Sequence, residues 1–283
     1  MVQKGKIITS RDGFKWYVEG GDDYLVINDG EYVVFEFLKE FEGSMRVFVD
    51  VGAHVGEYAI RMSRYYTYVY AIEPNPRNLR ILKKNIELNN AWNVEVIDVA
   101  CGESDGIGYL RLRGGSSTLL DIDKDVETIQ VPIKRLDEII EKAHVIKIDV
   151  EGWEEKVIKG AMGLIKKCKP IIVIEHHEYR GYKQCQGMRQ RIRQLLSDYY
   201  TLCLDIVHWA YIPKDWDLTT LSKWVTIHWF NKCLLNMEKG RPWYYGLPYT
   251  WWYGASLIDF LHALPEHIEN EPLWIEWLER GLD

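Results

Sequence analysis

The sequence predicts an α/β protein built on a doubly wound, mostly parallel sheet of seven strands. Short apolar runs recur along the chain, and helical patterns separate several of them. Runs that are mainly apolar indicate strands buried on both faces by helices. The strand-like runs are Val47–Val51, Val69–Ile72, Val94–Val96, Val145–Ile148 and Ile171–Ile174.

The other elements follow from local patterns, taken in chain order. Leu79, Leu82 and Ile86 share one helical face, which predicts the first connecting helix. Beyond the central runs, two strand-like segments separated by a polar loop predict a closing antiparallel pair. The predicted elements are strands at Phe14–Val18 and Tyr24–Ile27, helices at Tyr32–Phe41 and Asn78–Leu88, a hairpin from Tyr109–Leu112 and Thr128–Ile133, helices at Glu154–Lys166 and Met188–Ser197, and the final strands Tyr200–Val207 and Trp224–Phe230.

These elements suggest three regions. Residues 1–45 form an N-terminal element packed on the core, residues 46–231 the main ligand-binding domain, and residues 232–283 a helical extension rich in Trp and Tyr. The extension is predicted to pack as an aromatic core on the main domain. Its alternatives are a stacking wall for a sugar, a membrane-interface contact and an oligomer contact, the last of which would make a homo-oligomer.

Composition excludes several classes of protein. A net charge of −7 argues against a nucleic-acid partner, because phosphate backbones require a basic surface. No apolar run approaches the roughly 20 residues of a transmembrane helix, and the N-terminus lacks the apolar centre of a secretory signal. Five cysteines without a CxxC pair indicate reduced thiols. We therefore expect a cytoplasmic protein.

The stretch RVFVDVGAHVGEYAI, residues 46–60, predicts a ligand site at the end of a strand. Gly52 permits a sharp turn, and Gly56 permits close approach of the following helix, whose first amides can accept an anion. Glu73 follows Gly52 by 21 positions, at the end of the next strand, where a carboxylate can bind ribose hydroxyls. These features alone fit either a dinucleotide or another nucleoside.

Two details favour S-adenosylmethionine over a dinucleotide. The GxGxxG fingerprint is absent, since His54 stands where its second glycine would admit pyrophosphate, and Asp50 would repel that pyrophosphate. S-adenosylmethionine carries no phosphate, and its sulfonium and ammonium suit a carboxylate at a strand end. Asp98, after the third strand, is placed to accept a hydrogen bond from the adenine amino group.

Six separated motifs resemble, in order, those of the FkbM-type methyltransferases over about residues 25–180. They are VDVGAHVGEYAI, AIEPNPRNLRILKKNIELNN, NVEVIDVACGESDG, GGSSTL, VPIKRLDEII and the paired strand ends VIKIDVEGWEEKVIKGA and KPIIVIEHHE. The resemblance implies a Rossmann-like class I methyltransferase fold. It also implies methylation of hydroxyl oxygens, as in sugars and polyketides.

The resemblance also implies roles for individual residues. The implied cofactor contacts are Asp50, Gly52, Gly56, Glu73, Asp98, Val99 and Ala100. His54, which stands where the family usually has Asn, is a further cofactor candidate. Ser117, in the loop Gly114–Thr118, is a further cofactor candidate on a segment that reads as a hairpin tip or a lid. Asp149 and Glu151 are expected beside the transferred methyl group, and Glu175 and His177 on the facing wall.

Methyl transfer to a hydroxyl requires alignment of the nucleophile and removal of its proton. In doubly wound sheets such groups lie just beyond the carboxyl ends of strands. We expect His177 or Asp149 to act as the base and Glu151 and Glu175 to position the acceptor. As an alternative, the same four residues could bind Mg²⁺ or Mn²⁺.

The predicted function is S-adenosylmethionine-dependent O-methylation of a small hydroxylated substrate, a sugar or glycoconjugate. One rival is N-methylation of a protein or nucleic acid, although IDVEG replaces the usual Asn/Asp-Pro-Pro-aromatic motif after the fourth strand. The other is a non-catalytic binding or assembly protein that keeps the cofactor fold as a scaffold.

Overall fold

The computed structural model describes residues 5–20, 23–24, 31–113, 116–121, 125–204 and 207–216. The chain forms two compact units, Met1–Ser197 and Asp198–Asp283. The predicted strands Tyr24–Ile27 and Trp224–Phe230, the two glycines of the Gly114–Thr118 loop and the aromatic extension 232–283 lie wholly or largely outside the described residues.

The first unit contains a five-stranded parallel sheet. Its strands are β3 (Gly43–Val51), β4 (Tyr66–Ile72), β5 (Val94–Ile97), β9 (Val145–Ile148) and β10 (Ile171–Glu175), in the order β10-β9-β3-β4-β5. All four residues of β9 are buried, so both faces of this central strand are covered. The predicted α/β class and buried parallel strands are confirmed.

The helices of the first unit connect these strands. They are α1 (Tyr32–Lys39), α2 (Glu57–Met62), α3 (Pro76–Asn89), α4 (Leu136–Ile139), α5 (Glu154–Lys159), α6 (Met162–Cys168) and α7 (Met188–Leu195), with 3₁₀ turns at His177–Arg180 and Lys183–Cys185. The predicted face of α3 is buried through Leu79, Leu82 and Ile86. Asn75 caps this helix by accepting the Arg77 amide hydrogen.

The prediction of one helix over Glu154–Lys166 was wrong, because the structure has α5 and α6 instead. The break falls at Gly160, where an added Cβ would lie 1.8 Å from the Gly102 carbonyl oxygen. The backbone of a neighbouring segment therefore passes directly against Gly160. A continuous apolar pattern could not reveal this contact between distant parts of the chain.

A second sheet accounts for the excursion between residues 106 and 133. Strand β7 (Gly106–Arg111) pairs antiparallel with β8 (Thr128–Lys134), which confirms the predicted hairpin. The short strand β6 (Ala100–Cys101) adds to β8 in parallel. Ala100, Leu110 and Val131 form a small core for this sheet.

The N-terminal residues of the first unit form a hairpin of β1 (Lys6–Thr9) and β2 (Lys15–Val18). This hairpin packs on α3, where the Tyr17 amide donates to Asn85 Oδ1 at 2.6 Å. No helix in the described parts of the chain is long and apolar enough to cross a bilayer. Cys101, Cys168 and Cys185 are free thiols.

The second unit contains the antiparallel pair β11 (Tyr199–Cys203) and β12 (His208–Pro213). Together with the five parallel strands of the first unit, this pair makes up the seven mostly parallel strands that the sequence predicts. The partner predicted for the first of these strands, Trp224–Phe230, lies outside the described residues, so that pairing stays a prediction. The interpretation of the run HWAYIP as part of a polar loop was wrong, because this run forms β12 and is buried at every position. Its residues pair with β11 in a tight hairpin.

Candidate active site

A cleft of about 280 Å³ lies at the carboxyl ends of β3, β4, β9 and β10. The parallel topology brings the segments that follow each strand to the same edge of the sheet. Most of the predicted site residues lie here. The cleft is lined by Asp50, Gly52, His54, Glu73, Val99, Ala100, Ser117, Asp149, Glu151 and Glu175.

Gly52 makes the turn after β3 possible. Its φ angle is +87°, and an added Cβ would lie 1.7 Å from the Asp149 carbonyl oxygen. The amides of Gly52 and Ala53 both donate to the Ile72 carbonyl at 2.9 and 3.0 Å, which fixes the turn on β4. The glycine therefore serves a close contact between strand ends.

Gly56 begins α2 with a φ of +100°. An added Cβ would lie 2.6 Å from Leu82 Cδ1 and 2.7 Å from Ile60 Cδ1. Leu82 belongs to α3, so the small residue at position 56 allows two helices to pack closely. Its effect on a ligand would be indirect, through the position of α2.

Asp50 places a buried carboxylate at the cleft. Its Oδ2 accepts the Ala59 amide hydrogen at 3.0 Å, whereas Oδ1 has no hydrogen-bond partner within the described residues. Burial raises the pKa of Asp50 to about 6, although the nearby Lys147 ammonium opposes the shift. A cationic ligand group would satisfy this oxygen and favour its ionised form.

Glu73 is the second buried carboxylate of the cleft. Its Oε2 accepts the His54 amide hydrogen at 2.9 Å, and Oε1 accepts the Asn75 amide hydrogen at 2.9 Å and a longer bond from Asn78. Burial raises its pKa to about 7, despite these hydrogen bonds. Since each carboxylate oxygen has two lone pairs, Glu73 retains capacity to accept hydroxyl hydrogens.

Of the predicted cofactor residues, Asp98 and Gly56 do not line the cleft, whereas Ser117 does. Asp98 lines a separate cavity beside α3, together with Leu79 and Arg80. Ser117 lines the cleft and also accepts the Arg113 amide hydrogen at 3.2 Å. The segment after β5 thus presents Val99 and Ala100 to the cleft and Asp98 to the other cavity.

Asp149, Glu151 and Glu175 lie at or just beyond the ends of β9 and β10 and line the cleft, and we call these three residues the carboxylate wall. Lys147 Nζ lies 3.0 Å from Asp149 Oδ2, which identifies the partner of this buried lysine. Burial alone would lower the pKa of Lys147, but the carboxylates of Asp149 and Asp50 outweigh it and hold the pKa above its usual range. The ammonium is therefore a permanent positive charge behind the wall.

Glu151 has a φ of +56°, a conformation that residues with a side chain rarely adopt. Thr118 Oγ1 donates to its carbonyl at 2.8 Å, and Arg180 Nη2 lies 2.9 Å from its Oε2. Burial raises the pKa of Glu151 to about 7, and Asp149 adds to the shift while His177 and Arg180 oppose it. The turn holds this carboxylate toward the cleft.

His177 lies fully buried behind the carboxylate wall. Its Nδ1 lies 2.8 Å from Glu154 Oε1, and its Nε2 lies 3.2 Å from Glu151, 3.4 Å from Glu175 and 3.8 Å from Asp149. Burial would lower its pKa, but the hydrogen bond to Glu154 and the surrounding charges raise the pKa to about 9. Without a bound cation, His177 is an imidazolium at neutral pH and has no lone pair to accept a proton.

Glu154 is the contact that the sequence did not reveal, since its position predicts only a favourable charge at the start of a helix. The side chain is completely buried, and its Oε1 also accepts the Gly152 amide hydrogen at 2.9 Å. The acid at the start of α5 therefore orients His177. A second acid just after a strand-end Asp-x-Glu-Gly turn is the signal that could have indicated this role.

Comparisons with known proteins place this geometry in context. The model of one protein family, the methyltransferase FkbM domain, matches residues 50–200. The methyltransferase sdnD of Sordaria araneosa is 28% identical over 217 residues, covering 62% of this chain and 80% of the relative. The hexuronic acid methyltransferase AglP of Haloferax volcanii is 29% identical over 154 residues, covering 52% of this chain and 63% of the relative.

A solved structure with a similar fold is the methyltransferase FkbM of Methylobacillus flagellatus KT. It is 20% identical, with a TM-score of 0.43, and the match covers 67% of this chain and 53% of the solved chain. This chain therefore spans about half of that protein and just under two thirds of the archaeal relative.

Proposed function

This chain belongs to the family of the methyltransferase FkbM domain, which matches more than half of its residues, and we propose that it is an O-methyltransferase that methylates a hydroxyl of a sugar or glycoconjugate. The observation that carries the proposal is that the carboxylate wall lines the same cleft as Asp50 and Glu73. Asp50 and Glu73 suit a cationic nucleoside cofactor, and the carboxylate wall suits a hydroxylated acceptor.

The cleft fits S-adenosylmethionine on the evidence of its own atoms. Asp50 Oδ1 is a buried acceptor without a described partner, and it would accept from the ammonium or face the sulfonium. Glu73 would accept from the ribose hydroxyls, while Val99 and Ala100 would border the adenine. The bound cofactor supplies a methyl carbon whose bond to sulfur breaks, with the electron pair passing to sulfur, as the acceptor oxygen bonds to that carbon.

The carboxylate wall would hold the acceptor hydroxyl and take its proton. Of the two expected bases, His177 and Asp149, the raised pKa of His177 favours Asp149, and we propose that His177 positions the carboxylates. Asp149, Glu151 and Glu175 all reach the cleft, and each can take up a proton only in its ionised form. The proton of the hydroxyl would therefore pass to the wall.

The choice of acceptor is supported by chemistry and by one relative. Several closely spaced carboxylates can accept hydrogen bonds from adjacent hydroxyls, as a carbohydrate offers them. The archaeal relative is a hexuronic acid methyltransferase.

We propose a cytoplasmic location on the basis of the reduced cysteines.

Incubation with trideuteromethyl-labelled cofactor tests this function. We expect mass spectrometry of treated nucleotide sugars, glycans and glycolipids to show one added trideuteromethyl group, with fragments placing it on oxygen. Label on protein or nucleic acid would favour the N-methyltransferase alternative. Cofactor binding without any labelled product would favour a non-catalytic binding protein.

Cofactor affinity should fall as the pH is lowered. The pKa values of Asp50 and Glu73 in the free cleft are raised to about 6 and about 7, and cofactor binding favours the ionised carboxylates. Between about pH 8 and about pH 5.5, binding must increasingly expel protons, so we expect affinity to weaken roughly ten- to hundredfold.

Isothermal titration calorimetry with S-adenosylhomocysteine checks this prediction, because proton release also makes the heat depend on the buffer. The variant Glu73→Gln should lose the part of the pH dependence centred near neutrality. A flat affinity across the range would remove both carboxylates from the binding site.

A further inference from the structure

His177 shows an arrangement typical of a metal-binding histidine. Its Nδ1 is held by Glu154 at 2.8 Å, so its Nε2 is the atom directed at the carboxylate wall. A carboxylate that fixes one ring nitrogen while the other faces ligand oxygens is the usual support of a histidine metal ligand. This pairing comes from a residue outside the acidic cluster.

The distances around Nε2 match the spacing of ligands on one ion. Glu151 Oε2 and Asp149 Oδ1 lie 3.2 and 3.8 Å from it, and the three atoms lie within 4.8 Å of one another. Two ligands at right angles on an octahedral ion, each about 2.1 Å from it, are about 3 Å apart. Small side-chain adjustments would bring all three to such an ion.

The charges around His177 also suit a divalent cation. With His177 neutral, as a metal ligand must be, the carboxylates of Asp149, Glu151, Glu175 and the supporting Glu154 outnumber the permanent positive charges of Lys147 and Arg180 by two. Lys147 holds Asp149 Oδ2 and leaves Oδ1 for the cluster. Arg180 also contacts Glu151, so a metal ion would share that carboxylate with the guanidinium.

We propose that Asp149, Glu151 and His177 bind a divalent cation, Mg²⁺ or Mn²⁺, at the wall of the cleft. Two carboxylate oxygens and one imidazole nitrogen suit these ions and leave coordination positions open toward the cleft. The consequence rests on the proposed function: the acceptor hydroxyl would bind the ion and lose its proton more readily. Glu175, next to the site, would receive that proton while the oxygen bonds to the methyl carbon.

Electron paramagnetic resonance of Mn²⁺ tests this site on the intact chain, without cofactor or acceptor. Free Mn²⁺ gives a six-line signal that weakens on binding, so a titration should show one saturable site per chain, from which Mg²⁺ displaces Mn²⁺. The variant Glu151→Gln should bind about tenfold more weakly or worse. Glu155→Gln, which removes a neighbouring charge that pairs with Lys159 and Arg191, should bind as the wild type does.

Either of two results would overturn the proposal. One is the absence of saturable binding by the wild type up to millimolar Mn²⁺, and the other is unchanged binding in Glu151→Gln. The wild-type titration is decisive even where a variant fails to fold. Because no methylation is measured, a negative result here leaves the proposed function standing.

Discussion

The variant Gly52→Ala should lose both stability and cofactor binding. The new Cβ would lie 1.7 Å from the Asp149 carbonyl oxygen, which is backbone and cannot rotate away, and alanine is strained at a φ of +87°. Relief requires separating the ends of β3 and β9, which form the floor of the cleft. We expect a loss of about 3 kcal/mol or more in the free energy of unfolding.

Gly13→Ala is a matched control for this effect. Gly13 has a φ of +85°, almost the same as Gly52, and no described atom lies within 4 Å of an added Cβ. The backbone strain alone should cost about 1 kcal/mol. Urea denaturation followed by circular dichroism measures both variants. If the two variants lose a similar free energy of unfolding, the contact with Asp149 is unimportant. The same conclusion follows if Gly52→Ala binds the cofactor with wild-type affinity.

The sheet and the strand-end acids could be predicted because each depends on a short local pattern. The run Val145–Ile148, which is apolar except for Lys147, predicts a strand covered on both faces, and the structure buries all four residues. Parallel strands bring their carboxyl ends to one edge, so Asp149 and Glu175 had to meet once the strand order was right.

The contacts behind the cleft could not be predicted, because they join elements that are distant in sequence. His177 and Glu154 are 23 residues apart, and their hydrogen bond depends on how α5 packs beside the end of β10. The break at Gly160 arises in the same way, from the passage of Gly102. Side-chain periodicity carries no information on such approaches.

His177 shows how contacts between distant elements affect a role predicted from sequence. From sequence, a histidine beyond a strand end is a reasonable proton acceptor. Its pKa depends on its neighbours, and four carboxylates lie around its two ring nitrogens. The same neighbours that raise its pKa would suit it to the role of a metal ligand or positioning residue.

The variant Glu151→Gln should abolish most turnover while leaving cofactor binding intact. Its carboxylate lies on the wall of the cleft, and the change keeps the shape of the side chain but removes its charge and its basicity. Whether Glu151 takes the proton directly or holds a cation, we expect kcat to fall by about 10²–10⁴-fold. The Kd for S-adenosylhomocysteine should stay within about threefold.

Stability should not account for that loss. Glu151 contacts Arg180 in a partly exposed ion pair and is close to other carboxylates, so replacing it costs about 1 kcal/mol or less. Glu155→Gln removes an equal charge from the adjacent turn, where Glu155 pairs with Arg191 and Lys159. This control should retain wild-type turnover, measured by transfer of a labelled methyl group. An equal fall in both variants would point to a general electrostatic effect, and full activity in Glu151→Gln would remove this residue from the chemistry.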